Sequence, residues 1–599
     1  MRERIHTTDK IPFNENLDKF APSYTPENFT EQEQFYLKPF FSNIDRPIFV
    51  THNLPEEVNA ALDSRYSRST LSKRKLFLKE YVGPIIAPEK TLEWAESSPE
   101  EKKQALEVKD KFNRMIKFLN EEGGLNYVVN IQRARKFFDV WLSGYGDDSI
   151  AEMGAGIHVS MEGISSVALE EVVNKRVGLS PLVKSTRYVR FDEKRPDGEF
   201  QFTTPGEIKG TEDEKEYKRV MDLLFTTYSE VSEPYLDYIK NLYPKGPDET
   251  DKSFDSSRKA KRLDDIRDLL PFATQNNMGL AGNGRAFEDL VNRMLASNLG
   301  ELRYWGQQMA NELTKVVPSF IERPKTNRGA EIQIYRRNID ALRDQMSSSV
   351  LSDLEKPTMK RWVGLVSHTP EADVEILSTF LFSANSKKSL EQIRKKVKEM
   401  SPGLRRWEIE RILKERSFGK VMGIREKDRF KKVPRAFENA KYLFEIWGRG
   451  GDMRDLHRHR QATEGHPPYT TSWGYDLESE VNNSPFIDKF KFVFEEVRKL
   501  NVKLEEKYGP EIAQYATAFG FLQHWYMNLT AREIYWIGEL RTGPQARPHY
   551  KEITLQIVDL AIAKDPSVFA GVMVDRNDYR LARRESEKKL EKKIIFKTK

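Results

Sequence analysis

The sequence predicts an α+β protein built from two related domains in tandem. Three observations carry this. Capped, amphipathic helical patterns dominate the chain and are interrupted by short stretches of strand-like alternation. The two halves repeat one order of chemically distinctive residues. And 599 residues with 38% hydrophobic and 32% charged side chains suit large soluble domains, not a disordered chain.

Residues 1–50, rich in Pro, Phe, Asn and Thr, read as an extended arm that packs on something, a partner subunit being one candidate. A first domain is assigned to 51–322. Pro55-Glu-Glu-Val opens a helix with Pro at a favourable first-turn position, and Ser98-Pro-Glu-Glu opens another that runs to about Leu119. Ile157–Leu169 mixes strand and helix periodicity, Glu170–Arg176 reads as helical, Ser180–Tyr188 as a loop, and Val189-Arg-Phe as a short strand. Helices follow at 213–243, 258–270 and from Asn283. Residues 323–430 read as a helical connector and the start of a second unit, their charges a solvated face. A second domain spans 431–580. It opens with Pro434 in a first helical turn, continues through a long helix capped by Ser484, and reaches a helix at Asn528–Arg541. Residues 581–599 form a charged tail.

Composition excludes several functions. With no cysteine there can be no disulfide, thiolate metal site or thiol nucleophile. The 98 basic residues nearly cancel the 92 acidic ones, so a net charge of +6 does not by itself call for nucleic acid. The start carries no apolar signal core and no run is long enough to span a bilayer, which makes the cytoplasm the expected location.

The repeat is visible in order and spacing. Each half has an acid (Glu152; Glu438), a basic cluster (Lys175-Arg176; Arg458-His459-Arg460), a hydroxyl residue (Ser180; Thr463) and a pair of helical arginines (Arg285 and Arg293; Arg532 and Arg541). Lys175 to Arg458 and Ser180 to Thr463 share an offset of 283 residues, whereas Arg285 to Arg532 is 247, so the first half carries extra loop. A duplicated, diverged domain packed as a pseudo-dimer accounts for this. Plainer readings stand beside it. Arg458-His459-Arg460 could be an exposed helix end, Arg267 could cap or pair with Asp264 or Asp268, Ser180 could be a loop residue, and Glu152 and Glu438 could be helix-start acids. His457, His459 and His466 as zinc ligands are opposed by the intervening cations, and no metal site is expected.

The order Ser149-Ile-Ala-Glu152, Arg-His-Arg-x-x-Ser/Thr, Ser-x-Arg-Tyr, Arg-x-x-Leu-Pro and Asn-x-Arg resembles the flavin-dependent thymidylate synthases. The family's signature, Arg-His-Arg-x-x-Ser, then four residues, then Ser-x-Arg-Tyr, is split here. The first half keeps Ser180, Ser185-Thr-Arg187-Tyr188, Arg267-Asp-Leu-Leu-Pro271 and Asn283-Gly-Arg285 but has Lys175-Arg176-Val177 for Arg-His-Arg. The second half keeps Arg458-His459-Arg460-Gln-Ala-Thr463 but has Pro468-Tyr-Thr-Thr for Ser-x-Arg-Tyr, and Ala516-Thr-Ala518-Phe with no matching Arg.

The resemblance implies domains of helices around a small mixed or antiparallel sheet. It implies transfer of a methylene from methylenetetrahydrofolate to dUMP, with FAD reduced by NADPH as hydride source and no enzyme nucleophile. It places Ser180, Ser185, Arg187, Arg267, Arg458 and Arg541 at dUMP, and Glu438, Arg458, His459, Arg460, Thr463 and Arg532 at FAD. Arg suits both because its planar donors grip phosphate in pairs. A homodimer of duplicated chains, equivalent to the family's tetramer, is expected, with the two signature halves meeting in one cleft, within a chain or across a dimer. A non-catalytic or repurposed paralogue that binds FAD or nucleotide is the alternative. A membrane role is not expected, and a nucleic-acid role is disfavoured by the charge balance.

Overall fold

Two four-stranded antiparallel sheets, one in each half of the chain, share one strand order. In the first, β1 (Ile48–Thr51), β2 (Ile157–Ser165), β3 (Leu179–Val183) and β4 (Gln275–Gly282) lie in the order β1-β2-β4-β3. The second contains β5 (Val363–His368). After a hairpin of β6 (Gly419–Val421) and β7 (Ile424–Glu426) come β8 (Lys441–Arg449), β9 (Thr463–Gly465) and β10 (Leu522–Thr530), in the order β5-β8-β10-β9. The computed structural model describes residues 12–91, 93–121, 131–144, 149–174, 177–247, 249–359, 362–384, 387–416, 419–421, 424–426, 429–581 and 584. It bears out the α+β class and the duplication.

Register makes the repeat quantitative. Ser180 pairs with Ala281 and Thr463 with Asn528. Ala281 stands two residues before the helix-capping Asn283, and Asn528 two before the capping Thr530. Both offsets read from the sequence, 283 and 247, are therefore honoured by one hydrogen-bonded frame. Arg285 and Arg532 each follow as the second residue of the helix. The first copy also carries a bulge: the β2–β4 register slips between Glu162 and Ile164, around Gly163, whose φ of +83° is available to glycine and costly for other residues.

In the first sheet β2 is buried on both faces, with Ile157, Val159 and Met161 on one and His158, Ser160 and Glu162 on the other, and the helix Gly300–Val316 packs on β1, burying Leu302, Trp305, Met309 and Leu313. In the second copy Tyr442, Phe444 and Ile446 of β8 are buried, and the helix Pro548–Lys564 packs on β5 and β8 through Ile553, Ile557 and Val558. Each such fully buried apolar side chain contributes roughly 1.5–3 kcal/mol.

The chain separates into two compact units that are discontinuous in sequence. Unit 1 is Met1–Asp222 with Phe272–Glu355, and unit 2 is Leu223–Pro271 with Lys356–Lys599. Residues 223–271, read as part of the first domain, thus cluster with unit 2, and the stretch read as a connector is shared between the units. A buried ion network explains the first of these. Asp268 receives Arg547 at 2.7 Å and Arg449 at 3.3 Å, and Asp452 receives Arg449 at 3.2 Å, Arg547 at 3.3 Å and His549 at 2.6 Å. Nearby, Lys261 bridges Asp265 and Glu480 at 3.0 and 3.3 Å. Backbone bonds from Phe519 N to Leu270 O and from Gly520 N to Asp268 O, both 2.9 Å, complete the attachment.

Several local expectations are corrected. The N-terminal arm packs on its own unit: Leu17, Phe20, Tyr36, Phe40 and Phe41 are buried, and β1 pairs with β2. Residues after Pro434 form a short 3-10 turn, Arg435–Asn439, and then β8, because Tyr442, Phe444 and Ile446 alternate with period two. Val189–Phe191 is not a strand. The strand is Leu179–Val183, and Pro181 is tolerated because β3 is an edge strand. Asn528–Thr530 belongs to β10, so the following helix starts at Ala531. Ser484 does not cap the long helix Ile487–Tyr508; its hydroxyl accepts from Phe486 N instead, at 3.2 Å. Lys175 and Arg176 lie outside the described residues. No helix among the described residues is long and apolar enough to cross a membrane.

Candidate functional site

In unit 2, β8 ends at Arg449, the short helix Gly450–Leu456 follows, and its C-terminal turn delivers Arg458, His459, Arg460 and Gln461 to a cleft of about 280 Å³. Across the cleft, β10 ends in a capping box at Thr530, where Glu533 accepts from the Thr530 amide at 2.9 Å. That cap fixes the first turn of the helix Ala531–Arg541, which contributes Arg532, Tyr535, Trp536 and Glu539 to the lining. Arg416, Arg429, Lys432 and Val433 close the remaining side.

The cleft carries excess positive charge. Among the described residues, six cations line it against two carboxylates, Glu533 and Glu539, and the two carboxylates are already engaged. Glu533 serves the cap, and Glu539 takes Arg416 Nη2 on both oxygens at 2.9 Å. Just outside the lining, Glu438 holds Arg532 at 2.6 Å, while Arg532 Nε donates to Val433 O at 3.0 Å. Counting Glu438, cations still exceed carboxylates by three. Lys432 stands over the Trp536 ring at 4.5 Å, within cation–π range. Such an excess in a semi-enclosed cleft is stabilised by an anion.

Each expected residue has a definite place. Arg458, His459, Arg460 and Arg532 line the cleft together. Arg458 is exposed and Arg460 half-buried, its guanidinium pKa lowered by burial and by Arg458. His459 is buried, and its pKa falls to about 3 through burial first and then the charge of Arg541. Its Nε2 accepts from Arg541 Nε at 2.9 Å, so the ring is neutral with its proton on Nδ1. Arg541 therefore orients His459. Glu438 orients Arg532: burial raises its pKa, but hydrogen bonds from Arg435 and Arg532 outweigh that and keep the carboxyl below its usual range. Thr463 begins β9 and does not line the cleft.

The residues assigned to the nucleotide are differently placed. In unit 1, Ser185 Oγ accepts from Arg187 N at 3.2 Å, and Ser185 O accepts from the amides of Tyr188 and Val189, so the Ser-x-Arg-Tyr stretch is one tight turn. Ser180 is exposed on β3, four residues ahead of the buried Lys184. Arg267 of unit 2 is buried; it pairs with Asp455 at 2.8 Å and donates to Gly451 O at 3.1 Å, not to Asp264 or Asp268. Both contacts use Nη2, and Nε is buried without a hydrogen-bond partner. Sequence reading missed Arg416, Arg429, Lys432 and Trp536. They belong to no motif, and the first three lie in or near a stretch read as solvated charge; the only signal is the density of Lys and Arg between 425 and 435.

Fold and cleft together define a duplicated α+β protein whose second copy carries an arginine-rich cleft. The chain belongs to the family described as thymidylate synthase complementing protein, whose model matches residues 88–319 and 364–567. The resemblance read from the split signature is thereby borne out at the level of family. Relatives include a UPF0159 protein of Chlamydia muridarum, 30% identical over 572 residues and covering 94% of this chain and 98% of its own. One from Chlamydia pneumoniae is 31% identical over 576 residues with the same coverage, and one from Thermoplasma acidophilum is 29% identical over 482 residues, covering 76% of this chain and 92% of its own. A solved UMP/dUMP methylase from Streptomyces cacaoi is 14% identical over 35% of this chain and 93% of its own, with a TM-score of 0.26, a level that bears on neither fold nor activity.

Proposed function

We propose that the chain is a FAD-dependent thymidylate synthase that converts dUMP to dTMP, with methylenetetrahydrofolate as carbon donor and NADPH as the source of reducing equivalents. The observation that supports this most is the gathering of Arg458, His459, Arg460 and Arg532 in one cation-rich cleft of a chain from this family. FAD, when bound, supplies the redox chemistry.

The chain's own residues bind and orient. Arg458 and Arg460 grip the cofactor's phosphates, because guanidinium forks match phosphate oxygens and the cleft leaves cationic charge for them. Arg532 adds a third contact whose direction is set by Glu438. His459 stays neutral and offers a fixed Nδ1–H donor without adding charge. Ser185 and Arg187, mounted on a single tight turn, are assigned to the dUMP phosphate. Arg267, held by Asp455 through Nη2, is the buried member of that set.

The test is tritium release from [5-³H]dUMP in the presence of FAD, methylenetetrahydrofolate and NADPH. The proposal expects release that depends on all three and falls at least 100-fold in Arg187→Ala and in Arg458→Ala. A protein that binds FAD but releases no tritium would make the chain a binding paralogue.

A further inference from the structure

The helix Asn327–Val350 lies between the two stretches that the family model matches. Its inner side is anchored to unit 1 by polar contacts. Gln333 Nε2 donates to Asn292 Oδ1 and Pro324 O, both at 3.0 Å, Arg336 pairs with Asp289 at 2.6 Å, and Arg337 donates to Leu295 O at 2.7 Å. The outer side is apolar. Ile332, Tyr335, Ile339, Leu342, Met346 and Val350 recur at spacings of three and four and fall within about 80° of arc at 3.6 residues per turn. Tyr335 is 65% exposed, Met346 54% and Val350 65%. Leu351 and Leu354 extend the patch past the helix end, both exposed.

A water-facing stripe of this length is uncommon on a monomer. We propose that it is the contact between two copies of the chain, an isologous helix pair in which each stripe covers the other. Three features favour a second copy over another partner. The residues of the stripe and its extension leave on the order of 700 Å² of surface open per chain, close to the roughly 800 Å² per partner of a standard interface. The spacing from Tyr335 to Met346 is that of a seam in which side chains of one helix enter gaps on an identical one.

The rim is also neutralised within the chain. Arg343 is met by Asp340 at 3.1 Å and Asp344 at 3.3 Å, and Arg328 by Glu331 at 3.5 Å, so the rim selects neither an acidic nor a basic partner and opposes no self-contact. A cleft of about 700 Å³ beside the stripe, with Met294 and Leu302 on its far wall, gives the incoming side chains a seat. The proposal does not rest on the cofactor assignment.

Light scattering on the eluting full chain tests it. The expected mass is twice 69.8 kDa at micromolar concentration, falling to 69.8 kDa in Leu342→Arg/Met346→Arg with an unchanged far-UV spectrum. A monomeric wild type, or a double variant that stays dimeric, overturns it. Should the double variant not fold, single cysteines decide, since the chain has none of its own. Ile339→Cys, Leu342→Cys or Met346→Cys is expected to give a disulfide-linked dimer on oxidation, while Lys396→Cys, on the exposed helix Leu390–Glu399, is not. Cross-linking at none of the three stripe positions also overturns the proposal.

Discussion

The two copies build corresponding clefts from the same frame, and among the described residues they furnish them with different charge. In unit 1 the cleft, about 530 Å³, is bounded by Gly178 ahead of β3 and by the first turns of Gly284–Ala296. In unit 2 the corresponding elements are the approach to β9 and the first turns of Ala531–Arg541. Both copies keep the arginine at the second helical position clamped by a glutamate: Arg285 to Glu152 at 2.7 Å, Arg532 to Glu438 at 2.6 Å. Beyond that clamp they part. Among the described residues, the unit 1 cleft sets Arg285 and Arg323 against Glu152, Glu288 and Asp289, with Arg323 paired to Glu288 at 3.2 Å. The unit 2 cleft sets six cations against two acids. Duplication preserved the register and the clamp, and among the described residues charge diverged on top of them.

The largest expected effect follows from that contrast. Arg458→Ala/Arg460→Ala removes two charge-assisted contacts worth roughly 1.5–3 kcal/mol each, so FAD affinity is expected to fall by on the order of 10²–10⁴-fold in a fluorescence titration. Arg285→Ala, the corresponding surgery in unit 1, is expected to change it less than about 3-fold. Equal losses in both would erase the distinction between the clefts.

A second contrast lies where each long strand meets its helix. β2 ends in Ser165, whose hydroxyl caps Ala168 N at 3.0 Å and donates to Glu301 at 2.6 Å; β8 ends in Arg449, buried among Asp268, Asp452 and Glu478. Removing Arg449 strands buried carboxylates, so Arg449→Ala is expected to cost about 3–5 kcal/mol in denaturant unfolding. Ser165→Ala is expected to cost about 1–2 kcal/mol. Similar costs at the two positions would mean that the ion network adds little beyond packing.

Acid stability sharpens the comparison further. Burial lowers the pKa of His457 and takes that of His459 to about 3, both in unit 2. The unfolded chain, with histidine near about 6.5, binds these protons first as pH falls. For both the stabilisation is therefore complete above about pH 6.5 and is lost as pH falls, for His459 progressively toward pH 3 and by up to about 1.4 kcal/mol per pH unit. His459→Asn is expected to flatten the stability profile below about pH 6.5, as read by thermal melts across pH. An unchanged slope would place the acid sensitivity elsewhere.

The smallest effect belongs to the clamp. Glu438→Gln keeps a hydrogen bond to Arg532 but weakens its direction, and a drop in FAD affinity of about 3–10-fold is expected, with none for Glu152→Gln.

How much of this was legible in the sequence depends on what each residue answers to. Capped helices such as Pro99–Glu121 and Gly284–Ala296 are local events, and their signals sit within one turn of their ends. The duplication was legible because hydrogen-bond register preserves spacing, so Ser180 and Thr463 occupy one position in two sheets. β3 escaped because Pro181 argues against a strand unless the strand is known to be an edge, which only the finished sheet reveals. Arg267 matched a motif, yet Asp455, its partner, lies 188 residues away and no local pattern announces it. Arg416 and Arg429 read as solvated charge for the same reason: their role depends on a cleft assembled from distant segments.

The measurement that bears most directly on this account is the stoichiometry of FAD binding by equilibrium dialysis of the full chain. One FAD per chain, abolished by Arg458→Ala/Arg460→Ala and retained in Arg285→Ala, is the predicted result. Two per chain, or one per chain that survives the double substitution, would contradict the claim that the cofactor site belongs to the second copy alone.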